Sequence, residues 1–170
     1  MQITFGWMLV AEFLVLCGIL MRLTYLRSLG AAIFLPVLFK FFVLDVTRND
    51  TVNSLGRDWR IWSPAAALLT ILFFGNRKLT GFPGYSVAGS IVLAAVLLGE
   101  VRHDWLTLAF TLAACALAGV GVRAARDEFL FAGGAFAIVA LLAFWDREPS
   151  AYPWLTIAVP AALFYAAGFI

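Results

Sequence analysis

The sequence predicts an all-α integral membrane protein of about seven transmembrane helices, on three observations. The chain is 64% hydrophobic and only 13% charged, with a mean hydropathy of +0.97. A globule of 170 residues cannot hide that much apolar surface, so lipid has to be the solvent for part of it. Its apolar residues fall into seven runs close to the roughly 20 residues that a helix needs to cross the hydrocarbon core. Short polar segments separate the runs, which makes neighbouring helices antiparallel hairpin partners. On this reading residues 1–170 form one polytopic domain.

The first run, Ile3 to Met21, has no Lys or Arg before Leu9 and no small-residue cleavage site after it, so it reads as a retained span. The second, Leu29 to Val46, contains Pro36, whose missing N–H and ring clash predict a kink. The longest polar segment, Thr47 to Arg60, is mixed in charge and suits a short surface helix or a turn resting on headgroups. Ser63 and Pro64 then read as an N-cap and first helical residue, opening a short third run that spans Ile61 to Gly75. The fourth and fifth runs are Phe82 to Leu98 and Trp105 to Val122; the sixth and seventh are Phe129 to Trp145 and Trp154 to Ile170. Pro83 and Pro153 stand at helix starts, and Pro160 lies inside the last run.

Orientation rests on alternate loops. Arg22, Arg27, Arg77, Lys78, Arg123 and Arg126 share one side; Arg48, Arg57, Arg60, Arg102 and Arg147 lie on the other, so the basic count is nearly even, but that second side also carries most acids. The basic side is placed in the cytoplasm, with the N-terminus outside and the C-terminus inside. Under that topology Trp7, Trp59, Trp62, Trp105, Trp145 and Trp154 all lie at the outer interface, as anchors at headgroup level. The net charge of +2 and the scattered basic residues exclude nucleic acid as a partner. Cys17 and Cys115 sit singly inside apolar runs and form no metal motif.

Trp7, Ala11, Leu14 and Cys17 recur 98 positions later as Trp105, Ala109, Leu112 and Cys115. Each set is followed by an Arg-bearing turn, then by a small-residue helix entry, Leu29-Gly30-Ala31-Ala32 or Phe131-Ala132-Gly133-Gly134. Each second helix closes on aromatics and an acid, Phe41, Phe42 and Asp45 against Phe144, Trp145 and Asp146. Helices 1–2 and 5–6 thus read as a parallel internal repeat. This hairpin resembles the repeating unit of large, uncharacterised polytopic membrane proteins of bacteria, over Leu29 to Asp45 and Asp104 to Asp146. The resemblance implies the bacterial inner membrane and supplies no catalytic residue.

Glu12 lies at the centre of the first helix, where an ionised carboxylate is costly and therefore a functional suspect. Lys40 on the antiparallel second helix lies roughly 4 to 5 Å from it in depth at about 1.5 Å per residue, within reach of a lysine stem. A Glu12–Lys40 pair, or Lys40 turned outward to Asp45, follows from that spacing. His103 is the only histidine; a haem or chlorophyll takes one axial His, but a histidine in a polar turn is ordinarily solvated, so no metal site is assigned. No loop assembles a nucleophile, base and orienting group, so catalytic residues are not assigned either. Cofactors are not predicted, although a lipid, quinone or pigment between helices is compatible with the composition.

Small residues at fourfold spacing, Ser86, Ser90 and Ala94 in the fourth helix and Ala158, Ala162 and Ala166 in the seventh, allow close helix approach. Two functions follow as expectations. The first is a non-catalytic membrane subunit or scaffold that packs against other integral membrane proteins, for example in a respiratory or photosynthetic complex. The second is a small transporter or lipid-handling membrane enzyme using Glu12, Lys40 and Asp45.

Overall fold

The computed structural model describes residues 2–47, 51–54, 57–145 and 162. Among these, helices dominate: α1 (Gln2–Leu20), α2 (Thr24–Lys40), α3 (Ser63–Thr80), α4 (Gly84–Glu100), α5 (His103–Ala124) and α6 (Asp127–Trp145). Three stretches are long and apolar enough to cross a membrane: Thr24–Asp45, His103–Ala124 and Asp127–Phe144. Phe5–Leu20 and Gly84–Glu100 are shorter apolar helices. The seventh run, with Trp154, Ala158 and Ala166, lies outside the described residues; Ala162 is helical and exposed. The chain, read from sequence as one domain, divides into two compact units, Met1–Val92 and Leu93–Ile170, with α4 running through the boundary. Antiparallel hairpins explain such a division, because most of their packing is between helices adjacent in sequence.

In unit 1, α1 and α2 pack closely, and Gly30 is what allows it. A Cβ there would stand 2.8 Å from the Ala11 carbonyl oxygen and 2.7 Å from Val15 Cγ2. The turn between these helices passes through Arg22 at φ 56°, with Leu23 N–H donating to Gly18 O at 2.9 Å. In unit 2, α5 and α6 pack the same way, through Gly133, where a Cβ would stand 3.0 Å from the Ala114 carbonyl oxygen. Their turn passes through Ala125 at φ 50°, with Arg126 N–H donating to Gly121 O at 2.9 Å. Without a hydrophobic drive between helices in lipid, such backbone-to-backbone approach is a main source of association.

Pro36 lies inside α2, which passes at Phe41–Asp45 into a π-helical turn where Val46 N–H reaches Phe41 O at 2.9 Å. Among its described residues the polar segment after it holds two strands rather than the expected surface helix or turn. Thr51–Ser54 (β1) and Arg57–Arg60 (β2) form an antiparallel hairpin, with Thr51 opposite Arg60 and Val52 opposite Trp59. Thr, Val and Trp favour extended backbone.

Two further expectations are corrected at the start of α3. Ser63 is not the N-cap: Trp62 already has helical backbone and takes that position, Ala66 N–H donating to its carbonyl at 3.0 Å. Pro64 then sits in the first turn, where its missing donor costs nothing. Nor is Trp62 an interfacial anchor. It is 1% exposed, its ring edge-on to Phe41 at 5.7 Å with the Arg60 guanidinium 5.8 Å from its centroid. Its Nε1–H is buried without an acceptor among the described residues. Trp62→Phe therefore leaves stability unchanged or slightly raised, because the orphaned donor goes with the indole. Trp62→Ala costs about 3–5 kcal/mol of packing. Thermal melts of both variants in detergent check this pair. Trp7 and Trp105 are 53% and 44% exposed; Trp59 lies on β2 and Trp145 ends α6.

Helix α3 runs past the predicted Gly75 to Thr80. Arg77 and Lys78 fall in its last turn, where cations suit the negative end of the helix dipole. Arg77 donates to the carbonyl of Gly81, whose φ of 76° ends the helix. The buried face of α3 is Ser63, Ala65, Ala66, Leu69, Thr70, Phe73, Asn76 and Arg77, a stripe at largely three- and four-residue spacing that continues from the buried Trp62. Four polar residues, Ser63, Thr70, Asn76 and Arg77, thereby enter the interior of unit 1.

Candidate functional site

Glu12 projects from the middle of α1 toward that stripe. Asn76 Nδ2 donates to Glu12 Oε2 at 2.7 Å, tying α1 to α3. Asn76 is 1% exposed, and its Oδ1 is buried with no partner among the described residues. The Glu12–Lys40 pair allowed by helix depth does not form. Lys40 Nζ instead lies 3.6 Å from Asp45 Oδ2, closing on the carboxylate of its own helix terminus. The stem of Lys40 lines a small pocket of ≈ 170 Å³ with Trp7, Pro36 and Val37. The three residues grouped from sequence thus separate into an ion pair at one end of α2 and a carboxylate–amide pair within the bundle.

Tyr85, in the first turn of α4, connects this pair with an open cleft. Its ring is buried among aromatics, 6.2 Å from Phe34, 6.1 Å from Phe73 and 5.9 Å from Phe82 between centroids. Tyr85 also lies within electrostatic reach of the Glu12 carboxylate. The cleft, of ≈ 400 Å³, is lined by Thr24, Arg27, Ser28 and Ala31 of α2, Thr80 of α3, Phe82 of the following turn, and Tyr85. All belong to one end of the hairpins in unit 1, where α2 and α4 begin and α3 ends.

Local sequence explains most of the lining. Arg27 is held by its Nε donating to Gly18 O at 3.0 Å across the α1–α2 turn. Its Nη groups carry no partner among the described residues. Ser28 Oγ donates to Thr24 O at 3.1 Å, and Thr80 Oγ1 donates to Asn76 O at 2.7 Å while accepting from Phe82 N–H. The guanidinium remains the fixed charge among the residues that line the cleft. No family model, curated protein or solved structure matches this chain.

The other residues singled out from sequence lie apart from this site. Ser86 and Ser90 are buried within unit 1, their hydroxyls donating to Pro83 O at 2.7 Å and Ser86 O at 2.8 Å. Gly89 between them meets Phe73, so this face of α4 packs on α3. Ala94 is half-buried. His103 opens α5 rather than lying in a turn, and is exposed; among the described residues no cluster of His, Cys, Asp or Glu could hold a metal ion. Cys17 and Cys115 are free and half-buried. Asn76 was missed because a single amide in a run beside Arg77 and Lys78 reads as the polar end of a helix. The signal that finds it is the apolar periodicity of α3, which places position 76 in register with Leu69 and Phe73.

Proposed function

We propose that this chain is a small multi-pass membrane protein that handles an anionic amphiphile, holding its headgroup in the cleft of unit 1. The observation that carries this reading is the cleft itself: a fixed arginine, hydroxyls and aromatic rings at one end of apolar helices. The free Nη donors of an arginine suit a phosphate-bearing head, and Phe82 and the exposed apolar helix faces suit the acyl chains. The orientation drawn from the loop charges places this end at the cytoplasmic leaflet of a bacterial inner membrane, the leaflet in which anionic lipid and basic residues meet.

Seven spans and a parallel repeat complete the proposal. The two hairpins support the repeat in a register of 103 positions rather than 98. Gly18 and Gly121 accept at the turn, Arg22 and Ala125 adopt left-handed backbone, and Gly30 and Gly133 admit Ala11 and Ala114. A subunit of a larger membrane assembly is the second reading. It loses Ser86 and Ser90 as a partner face, since both are used inside unit 1, and keeps the exposed Ala162.

Native mass spectrometry of the protein after gentle extraction tests the leading reading. A retained anionic phospholipid is expected, with Arg27→Gln lowering its retention about tenfold, the loss of one charge-assisted contact worth roughly 1.4 kcal/mol. Indifference of the bound lipid to Arg27→Gln counts against the cleft, and co-elution with other membrane proteins favours the subunit reading.

A further inference from the structure

Asn76 has two chemically opposite ends, an N–H₂ that donates and an oxygen that accepts, of nearly the same shape. In the arrangement described, the donor end meets Glu12 Oε2 at 2.7 Å and the acceptor end is buried without a donor among the described residues. That arrangement suits an ionised Glu12, which can only accept. A protonated Glu12 carries an O–H donor, and the same partner can satisfy it by turning its amide half a circle so that Oδ1 faces the acid.

We propose that Glu12 is a proton-binding site of unit 1, with Asn76 as a reversible amide partner that turns over as the proton binds. The proton goes onto a Glu12 carboxylate oxygen and converts it from acceptor to donor. Asn76 Oδ1 then accepts that O–H, and Nδ2 moves to the far side, where the unpartnered oxygen had been. The α1–α3 tie is kept in both states. What changes is the far pole of the amide, which offers an acceptor when Glu12 is charged and a donor when it is neutral.

The surroundings leave Glu12 to this partner. From α3, Asn76 is the group that faces it, and the adjacent Arg77 is turned to the Gly81 carbonyl. From α4 the titratable group within electrostatic reach is Tyr85. From α2, Lys40 closes on Asp45 and Arg27 on the Gly18 carbonyl. None of these neighbours places a cation against the Glu12 carboxylate, so a proton is the charge available to neutralise it within an apolar bundle.

Infrared difference spectroscopy of the whole protein in neutral-lipid nanodiscs, stepped between alkaline and acidic pH, tests the site. The expected result is a protonated-carboxyl C=O band that appears on acidification and is lost in Glu12→Gln, whose amide keeps the bond to Asn76. With the asparagine side-chain carbonyls isotope-labelled, one of three labelled amides, at Asn49, Asn53 and Asn76, shifts in step with that band. This shift is absent from Glu12→Gln. The unsubstituted chain already decides the question, so failure of an Asn76→Leu variant to fold does not affect it. A band absent from the unsubstituted chain or retained in full by Glu12→Gln overturns the proposal. A label that stays still while Glu12 titrates overturns the amide reversal, and sodium ions that abolish the band at constant pH assign the site to a metal cation.

Discussion

Gly30→Leu is expected to disrupt the α1–α2 hairpin, with loss of a monodisperse peak on size exclusion or a melting transition far below that of the parent. A Cβ at position 30 meets Ala11 O, Val15 N and Val15 Cγ2 at 2.7–3.0 Å. Two of those three atoms are backbone, so relief requires the helices to separate and gives up the packing that joins them. The cost is at least about 3 kcal/mol, the upper end for overpacking a close contact. Gly133→Leu has the corresponding effect on α5 and α6, where Ala114 O and Ala118 N stand at 3.0 and 3.1 Å. Gly119→Ala is the control. Nothing lies within 4 Å of its Cβ, so the better helix former stabilises by up to about 1 kcal/mol. Gly30→Leu melting like the parent would show that the hairpin does not depend on this approach.

Asn76→Leu has the second largest expected effect, a loss of about 3 kcal/mol at alkaline pH, because an ionised Glu12 is left within the bundle without its donor. The loss shrinks in acid, where the carboxyl is neutral. Glu12→Gln alone stays within about 1 kcal/mol of the parent, since an amide can replace the carboxylate as acceptor. The double variant Glu12→Leu with Asn76→Leu recovers most of what Asn76→Leu loses, because two apolar side chains replace the whole polar pair. Melting temperatures of these variants at two pH values complete the cycle. Strict additivity of the two leucine substitutions would remove the interaction from the account.

The sequence made Glu12 conspicuous but not its partner. A carboxylate in the middle of an apolar run stands out in one dimension, and helix depth narrowed the candidates to residues such as Lys40. Depth says nothing about rotation around the helix axis, and rotation turns Lys40 toward Asp45 and Asn76 toward Glu12. Trp62 shows the same gap: a tryptophan at the edge of an apolar run suits the interface, and only its packing on Phe41 shows it to be core. The β-hairpin of Thr51–Arg60 was hidden because strands of four residues carry too little periodicity to compete with a polar loop reading.

What the sequence determined by itself was the class: apolar runs of membrane length and few charges admit little besides helices, since lipid leaves every backbone group to be satisfied within its own segment. The sequence also marked Gly30 and Gly133 as small-residue helix entries, before any contact was visible. Tertiary structure alone decided the partners of the polar residues and the cleft around Arg27 and Tyr85. Burial follows from local composition, but pairing depends on which helix faces meet, and that is set jointly by contacts between residues distant in the chain.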